Sequence, residues 1–270
     1  MNNEYITIYL YICIELNNNI IDMSGHSKWS TIKRKKGAAD AKRSKIFSKL
    51  IKEISVAVKE GGGDEEANPR LRVAIANAKG VNMPKDNIAR AIKKADDKDA
   101  ANFDEVNYEG YAINGIGIFV ECLTDNLQRT VSSVRAAFTK YNGSLGKNGS
   151  LNFIFDRKGV FSFTKGNLDI EELELEIIDA GAEEIILDED IISITTAMED
   201  FGLMNKKLDE LNIDVESAKL QRIPLNTEQL SVDDAKLVIK LIDVLEDDDD
   251  VQEVYHNLEI TDELLEAYDF

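Results

Sequence analysis

Histidine and cysteine are almost absent from this sequence, with two of each in 270 residues. Cys13 and Cys122 form no ligand spacing, so neither a metal site nor a disulfide framework is expected, and a reducing, cytoplasmic setting follows. His26 and His256 stand far apart in the chain, and no Gly-x-Ser-x-Gly elbow or Walker-type loop is present. The segment Gly61-Gly62-Gly63-Asp64 is glycine-rich, but it follows a helical pattern and lacks the Lys-Ser/Thr of a phosphate cradle. The acidic run at residues 246–250 is expected to be a solvated helix end and not a cation site. The reading is therefore of a protein that is not an enzyme, with no catalytic residues, no cofactor and no metal.

Long hydrophobic runs are scarce as well. The apolar stretch at residues 5–14 is too short to cross a bilayer, and it ends at Glu15 and an Asn tract. It carries Glu4 instead of the cationic start of a secretory signal, so no membrane association is expected. Composition changes abruptly at Met23, which makes residues 1–22 look like a non-native or disordered extension and Met23 the expected translation start.

What the chain has in excess is charge, unevenly placed. The net charge is −19, yet residues 23–98 hold 19 Lys/Arg against 9 Asp/Glu, a net of +10. Residues 99–270 hold 13 against 39, a net of −26. A strongly basic segment beside strongly acidic ones points to a polyanion-binding module, with the acidic part confining contact to one face.

Periodicity divides the chain. Phe47, Leu50, Ile51, Ile54 and Val58 recur at helical spacing, with Lys42, Lys45, Lys49 and Lys52 on the opposite side. Pro69 and Pro84 each open a further helix, placing Leu71, Ala74, Ile75 and Ala78, then Ile88, Ala91 and Ile92, inward. From there the period shortens. Strands are predicted at 106–112 and 116–123 around an Asn114-Gly115 turn, a helix at 126–141 and a strand at 151–155. Residues 160–223 follow a β-α-β-β-α-β order, the ferredoxin-like arrangement. After Pro224 come a helix at 232–245, a strand at 251–255 and a short helix near 263–267. The late elements lack neighbours in sequence, so they are expected to pair with the 106–155 region. The predicted fold is α+β in three domains: a basic N-terminal helical bundle (23–98), a discontinuous α+β middle domain (99–157 plus 224–270) and an inserted ferredoxin-like domain (158–223).

The candidate nucleic-acid-binding residues are His26, Lys28, Trp29, Lys33, Arg34, Lys35, Lys36, Lys42, Arg43, Lys45 and Lys49. Arg and Lys neutralise phosphates and release counterions, and the hydroxyls of Ser27, Ser30 and Thr31 add phosphate contacts. Trp29 is suited either to stacking on an unpaired base or to anchoring loop to bundle, and His26 to phosphate or to bridging. The cations are mostly Lys and no helix-turn-helix pattern stands out, which fits backbone binding to duplex DNA or structured RNA better than base reading.

The stretches Gly25-His26-Ser27-Lys28-Trp29, Asp40-Ala41-Lys42-Arg43-Ser44-Lys45-Ile46-Phe47 and Asn68-Pro69-Arg70-Leu71-Arg72 resemble those of the YebC/PmpR family. So do Asn82-Met83-Pro84, Tyr108-Glu109-Gly110-Tyr111, Glu121-Cys122-Leu123-Thr124-Asp125-Asn126 and the run from Asp249 to Asn257. The resemblance runs from about Met23 to near the C-terminus, while Ala112-Ile113-Asn114-Gly115 departs from a more glycine- and proline-rich turn. It implies a helical first domain followed by two α+β domains, the third inserted in the second. It also implies DNA binding and transcriptional regulation in some members. In others it implies work as a translation factor on the ribosome, through ribosomal RNA, relieving stalling at proline-rich stretches. Transcriptional regulation through DNA is the first expectation, and ribosome association the alternative.

Protein expressed from its native upstream sequence is expected to have an intact mass that begins at Met23; a mass including residues 1–22 would overturn that start.

Overall fold

The computed structural model describes residues 40–97, 102–188 and 190–267. Among the described residues three helices come first: α1 (Asp40–Gly61), α2 (Pro69–Gly80) and α3 (Lys85–Ala95). Their buried stripes, Leu50, Ile54 and Val58 against Leu71, Ala74, Ile75, Ala78, Ile88 and Ala91, form one core. Buried Asn68 turns the chain from α1 into α2. Its side-chain oxygen accepts from the Leu71 N–H at 3.0 Å, while its amide donates to the Ala57 and Gly62 carbonyls at 2.7 and 2.8 Å. One side chain thus caps the start of α2 and satisfies carbonyls left open at the end of α1.

The middle domain is a sheet of order β3-β1-β2-β8, built from β1 (Asp104–Tyr111), β2 (Gly117–Thr124), β3 (Ser144–Leu145) and β8 (Val251–His256). Central β2 therefore pairs with a strand from the far end of the chain, in the register Ile118↔His256 to Glu121↔Glu253. Asn114 and Gly115 turn β1 into β2 with φ of 56° and 84°, as the Asn-Gly signal requires. Helices α4 (Leu127–Lys140), α7 (Val232–Glu246) and α8 (Asp262–Ala267) cover one face over Ile118, Val120 and Cys122. Phe119, Leu151, Phe155 and Tyr255 fill the other. The alternation along β2 assigns its residues to two cores.

Between these halves lies β4 (Phe155–Thr164), α5 (Ile170–Ile178), β5 (Ala182–Asp188), β6 (Ile191–Ala197), α6 (Phe201–Glu210) and β7 (Ser217–Pro224). The sheet order β5-β6-β4-β7, all antiparallel, is the ferredoxin-like one. Phe161 stacks on Phe201 with centroids 4.8 Å apart at the heart of its core. The fold class is thus α+β with helical, discontinuous and ferredoxin-like parts.

One expectation fails locally. No strand runs over residues 151–155; residues 151–154 form a turn and the strand begins at Phe155, paired with Pro224. The reason is Glu109, a buried carboxylate on β1 that accepts the Gly149 and Leu151 N–H groups at 2.7 Å each. A backbone donor taken by a carboxylate is lost to a ladder. Conversely, three helices stop in the same way: Asn82, Asn142 and Asn212 take φ near 58°, 59° and 55° just past α2, α4 and α6. The following N–H in each case closes a bond back to the last turn, Met83 to Ala78, Gly143 to Phe138 and Ile213 to Leu208.

Helix α2 lies against the edge strand β7. The Asn77 amide donates to the Ala218 carbonyl at 3.0 Å and accepts its N–H at 2.8 Å, a side chain standing in for a neighbouring strand. A Cβ at Gly80 would sit 1.9 Å from the Glu216 carbonyl oxygen. Gly80→Ala is therefore expected to lower the melting temperature by several degrees, a loss of about 1–3 kcal/mol from overpacking against backbone. A melting curve unchanged from wild type would mean that α2 does not approach β7 this closely.

Candidate nucleic-acid interface

The cationic side of α1 does not face solvent along its whole length. Three successive lysines reach the acidic end of α7, some 200 residues away. Lys45 donates to the Asp247 carboxylate and carbonyl, both at 2.8 Å. Lys49 donates to the Glu246 and Gln252 carbonyls at 3.2 and 3.4 Å. Lys52 donates to the Asp249 carbonyl at 2.8 Å and to the Asp250 carboxylate at 3.0 Å. The last carbonyls of α7 have no partner within the helix and sit at the negative end of its dipole, so ammonium groups are their natural partners.

Asp250 is the buried centre of this contact, only 4% exposed. Besides Lys52 it receives the Arg129 guanidinium in a bidentate arrangement, with contacts of 2.7 to 3.0 Å. The hydroxyls of Thr130 and Thr124 lie 2.9 and 3.2 Å from the same carboxylate. Burial alone would raise its pKa, but the bonds from Arg129, Lys52 and Thr130 outweigh it and hold the carboxyl below the usual aspartate value. The solvated helix end expected from composition holds for Asp247 and Asp249, which are exposed, but not for Asp250. Among the described residues no group of three or more His, Cys, Asp or Glu side chains could hold a metal ion. Burial pushes the Cys122 thiol up to about 12, which leaves it inert as a nucleophile.

A second set of charges meets where the three domains join. Lys219 on β7 pairs with Glu253 on β8 at 2.5 Å, and Arg222 pairs with Glu121 on β2 at 3.1 Å. The Arg222 guanidinium also lies 3.7 Å over the Phe119 ring. Glu53 of α1 faces this group, its carboxyl raised by burial against the attraction of Lys219. Between α2 and the inserted domain lies a cleft of about 580 Å³ in which Glu65, Asp209, Asp214 and Glu216 outnumber Arg72 and Lys79. That side of the molecule repels polyanions.

Among the sequence-predicted site residues, His26, Lys28, Trp29, Lys33, Arg34, Lys35 and Lys36 lie outside the described residues. Lys42 lies in the first turn of α1, Arg43 is exposed there, and Lys45 and Lys49 point into the contact with α7. The structure adds cations that sequence reasoning passed over: Lys85, Arg90, Lys93 and Lys94, all exposed on α3. Their signal was present in the sequence, because placing Ile88, Ala91 and Ile92 inward leaves these four outward.

Comparison with known proteins agrees in extent with this architecture. Residues 27–98 match the TACO1/YebC protein N-terminal domain, and residues 103–258 match the TACO1/YebC second and third domain. The chain belongs to the TACO1/YebC family. A relative from Amoebophilus asiaticus, named a probable transcriptional regulatory protein, is 55% identical over 239 residues, covering 87% of this chain and 98% of the relative. One of the same name from Thermotoga maritima is 49% identical over 246 residues, covering 90% and 97%. The crystal structure of a conserved hypothetical protein from Aquifex aeolicus superposes with a TM-score of 0.74 at 43% identity, covering 84% of this chain and 94% of that one. Among the described residues no helix is long and apolar enough to cross a membrane.

Asp250→Asn is expected to destabilise the protein by about 2–3 kcal/mol at neutral pH, since it removes the buried counter-charge of one largely buried ammonium and one half-exposed guanidinium. The carboxyl is held below its ordinary value of 3.8, so its contribution is complete above that pH and is lost as pH falls through the lower folded-state value. Urea unfolding at pH 7 and pH 3 should show the difference between wild type and variant shrinking on acidification; an equal difference at both would exclude an ionic role.

Proposed function

We propose that the protein is a regulator without a catalytic step, acting in the cytoplasm and binding duplex DNA through the basic surface of its N-terminal domain. The observation that carries this reading is the separation of charge along the chain: residues 23–98 have a net charge of +10 and residues 99–270 one of −26. An anionic polymer is attracted to the first and repelled by the second, so the charge distribution selects both the ligand and the face that meets it. The names of the curated relatives support the regulatory half of the reading.

Arginine and lysine at residues 33–36 supply the densest cationic run, and the predominance of Lys suits contact with phosphates more than with base edges. Target choice then rests on DNA shape or on a protein partner of the acidic domains. The same cations suit ribosomal RNA, so ribosome association is the outcome against which the DNA reading is measured.

Replacing Lys33, Arg34, Lys35 and Lys36 together by Ala is expected to weaken binding to duplex DNA and to flatten its log–log salt dependence by roughly 0.9 per lost phosphate contact. Unchanged affinity and slope would exclude this run as a contact. Co-sedimentation with ribosomes through a salt series belongs beside it. Salt-resistant ribosome association with only weak DNA binding would replace the transcriptional reading with a translational one.

A further inference from the structure

Each helix of the N-terminal domain has a different neighbour. Helix α1 lays Lys45, Lys49 and Lys52 on the end of α7, and α2 lays Asn77 and Gly80 on β7. Helix α3 packs chiefly on α1 and α2, which leaves its outer side toward solvent. At 100° per residue, Ile88, Ala91 and Ala95 form its buried stripe, and Lys85, Lys93, Arg90 and Lys94 fan across the opposite half. All four are exposed, and among the described residues none is paired with a carboxylate. Arg90 donates to the Asp86 carbonyl and to the Asn87 side chain, which holds its guanidinium along the helix. Asp86 is the one acid within the helix, in its first turn, where the dipole favours it.

We propose that this outer face of α3 receives the phosphate backbone of a double-helical nucleic acid. The inference rests on the nucleic-acid reading above and moves its structured contact surface from α1 to α3. Three physical facts converge on it. The inner cations of α1 already neutralise the α7 end, so withdrawing them would uncover Asp247 and Asp250. The α2 side opens on a cleft whose lining is predominantly acidic. Helix α3 is the remaining helix, and its outer side carries four exposed cations against one acid. The spread of the four cations over half a helix turn's circumference suits phosphate tracking, in which point charges need proximity but no fixed geometry.

The test uses the full chain and two random-sequence probes, duplex DNA and duplex RNA, with affinity measured through a salt series. The variant Lys85→Gln/Arg90→Gln/Lys93→Gln/Lys94→Gln is expected to lose affinity on the order of tenfold or more at moderate salt, its slope falling by about 0.9 for each contact removed. Lys206→Gln, at an exposed lysine of the inserted domain paired with Glu210, should retain the wild-type slope. The probe that loses more identifies which duplex the face prefers. The substitutions are at exposed positions, and an unchanged thermal melt confirms that the variant is folded. Wild-type binding together with wild-type affinity and slope in the folded quadruple variant would overturn the α3 surface alone. Failure of the wild-type chain to bind either probe at low salt would overturn the surface and the reading beneath it together.

Discussion

The Asp250 carboxylate is the point on which the arrangement of domains depends. It is buried, it terminates the acidic run after α7, and it is shared by a lysine from the first domain and an arginine from the second. An isolated carboxylate at that depth would be driven to protonate. This one stays ionised because two cations and two hydroxyls complete its hydrogen bonds. The consequence is geometric: α1 is held along the end of α7, which sets where α2 and α3 stand and which cations remain outside.

The same contact shapes the charge balance of a protein of net charge −19. Part of the positive charge of the first domain is consumed at the junction, on Asp247, Asp250 and the open carbonyls of α7. More is consumed at Arg70, which bridges Glu60 and Glu105. Among the described residues, what is left over includes Lys85, Arg90, Lys93 and Lys94, exposed on the outer side of α3. The acidic run looks like a feature of the last domain alone, yet it acts on the first.

Attachment of the inserted domain follows a different logic. It is bound by shape and neutral hydrogen bonds: the Asn77 amide on the backbone of Ala218, and Gly80 against Glu216. Ions enter where β7 reaches the middle domain, as Lys219 with Glu253 and Arg222 with Glu121. The helical domain is thereby fixed to two partners by two kinds of force. The ionic contact responds to salt and pH, whereas the neutral one responds to side-chain volume.

The sequence by itself determined what is local or periodic. The stripes of α1, α2 and α3, the Asn114-Gly115 hairpin, the βαββαβ order and the basic character of the first domain were all legible, because apolar spacing and turn chemistry act within a few residues. The pairing of the late strand with β2 followed from elements that lacked neighbours. The turn at residues 151–154 was not legible, since it depends on a carboxylate some 40 residues earlier that captures the Leu151 N–H. Nor was the fate of Lys45, Lys49 and Lys52, whose helical face can be read from spacing while its partner cannot. Only the tertiary structure brought that face to Asp247 and Asp250 and left α3 outward. The choice between an internal and an external partner for a lysine is made by groups 200 residues away, where no local pattern reaches.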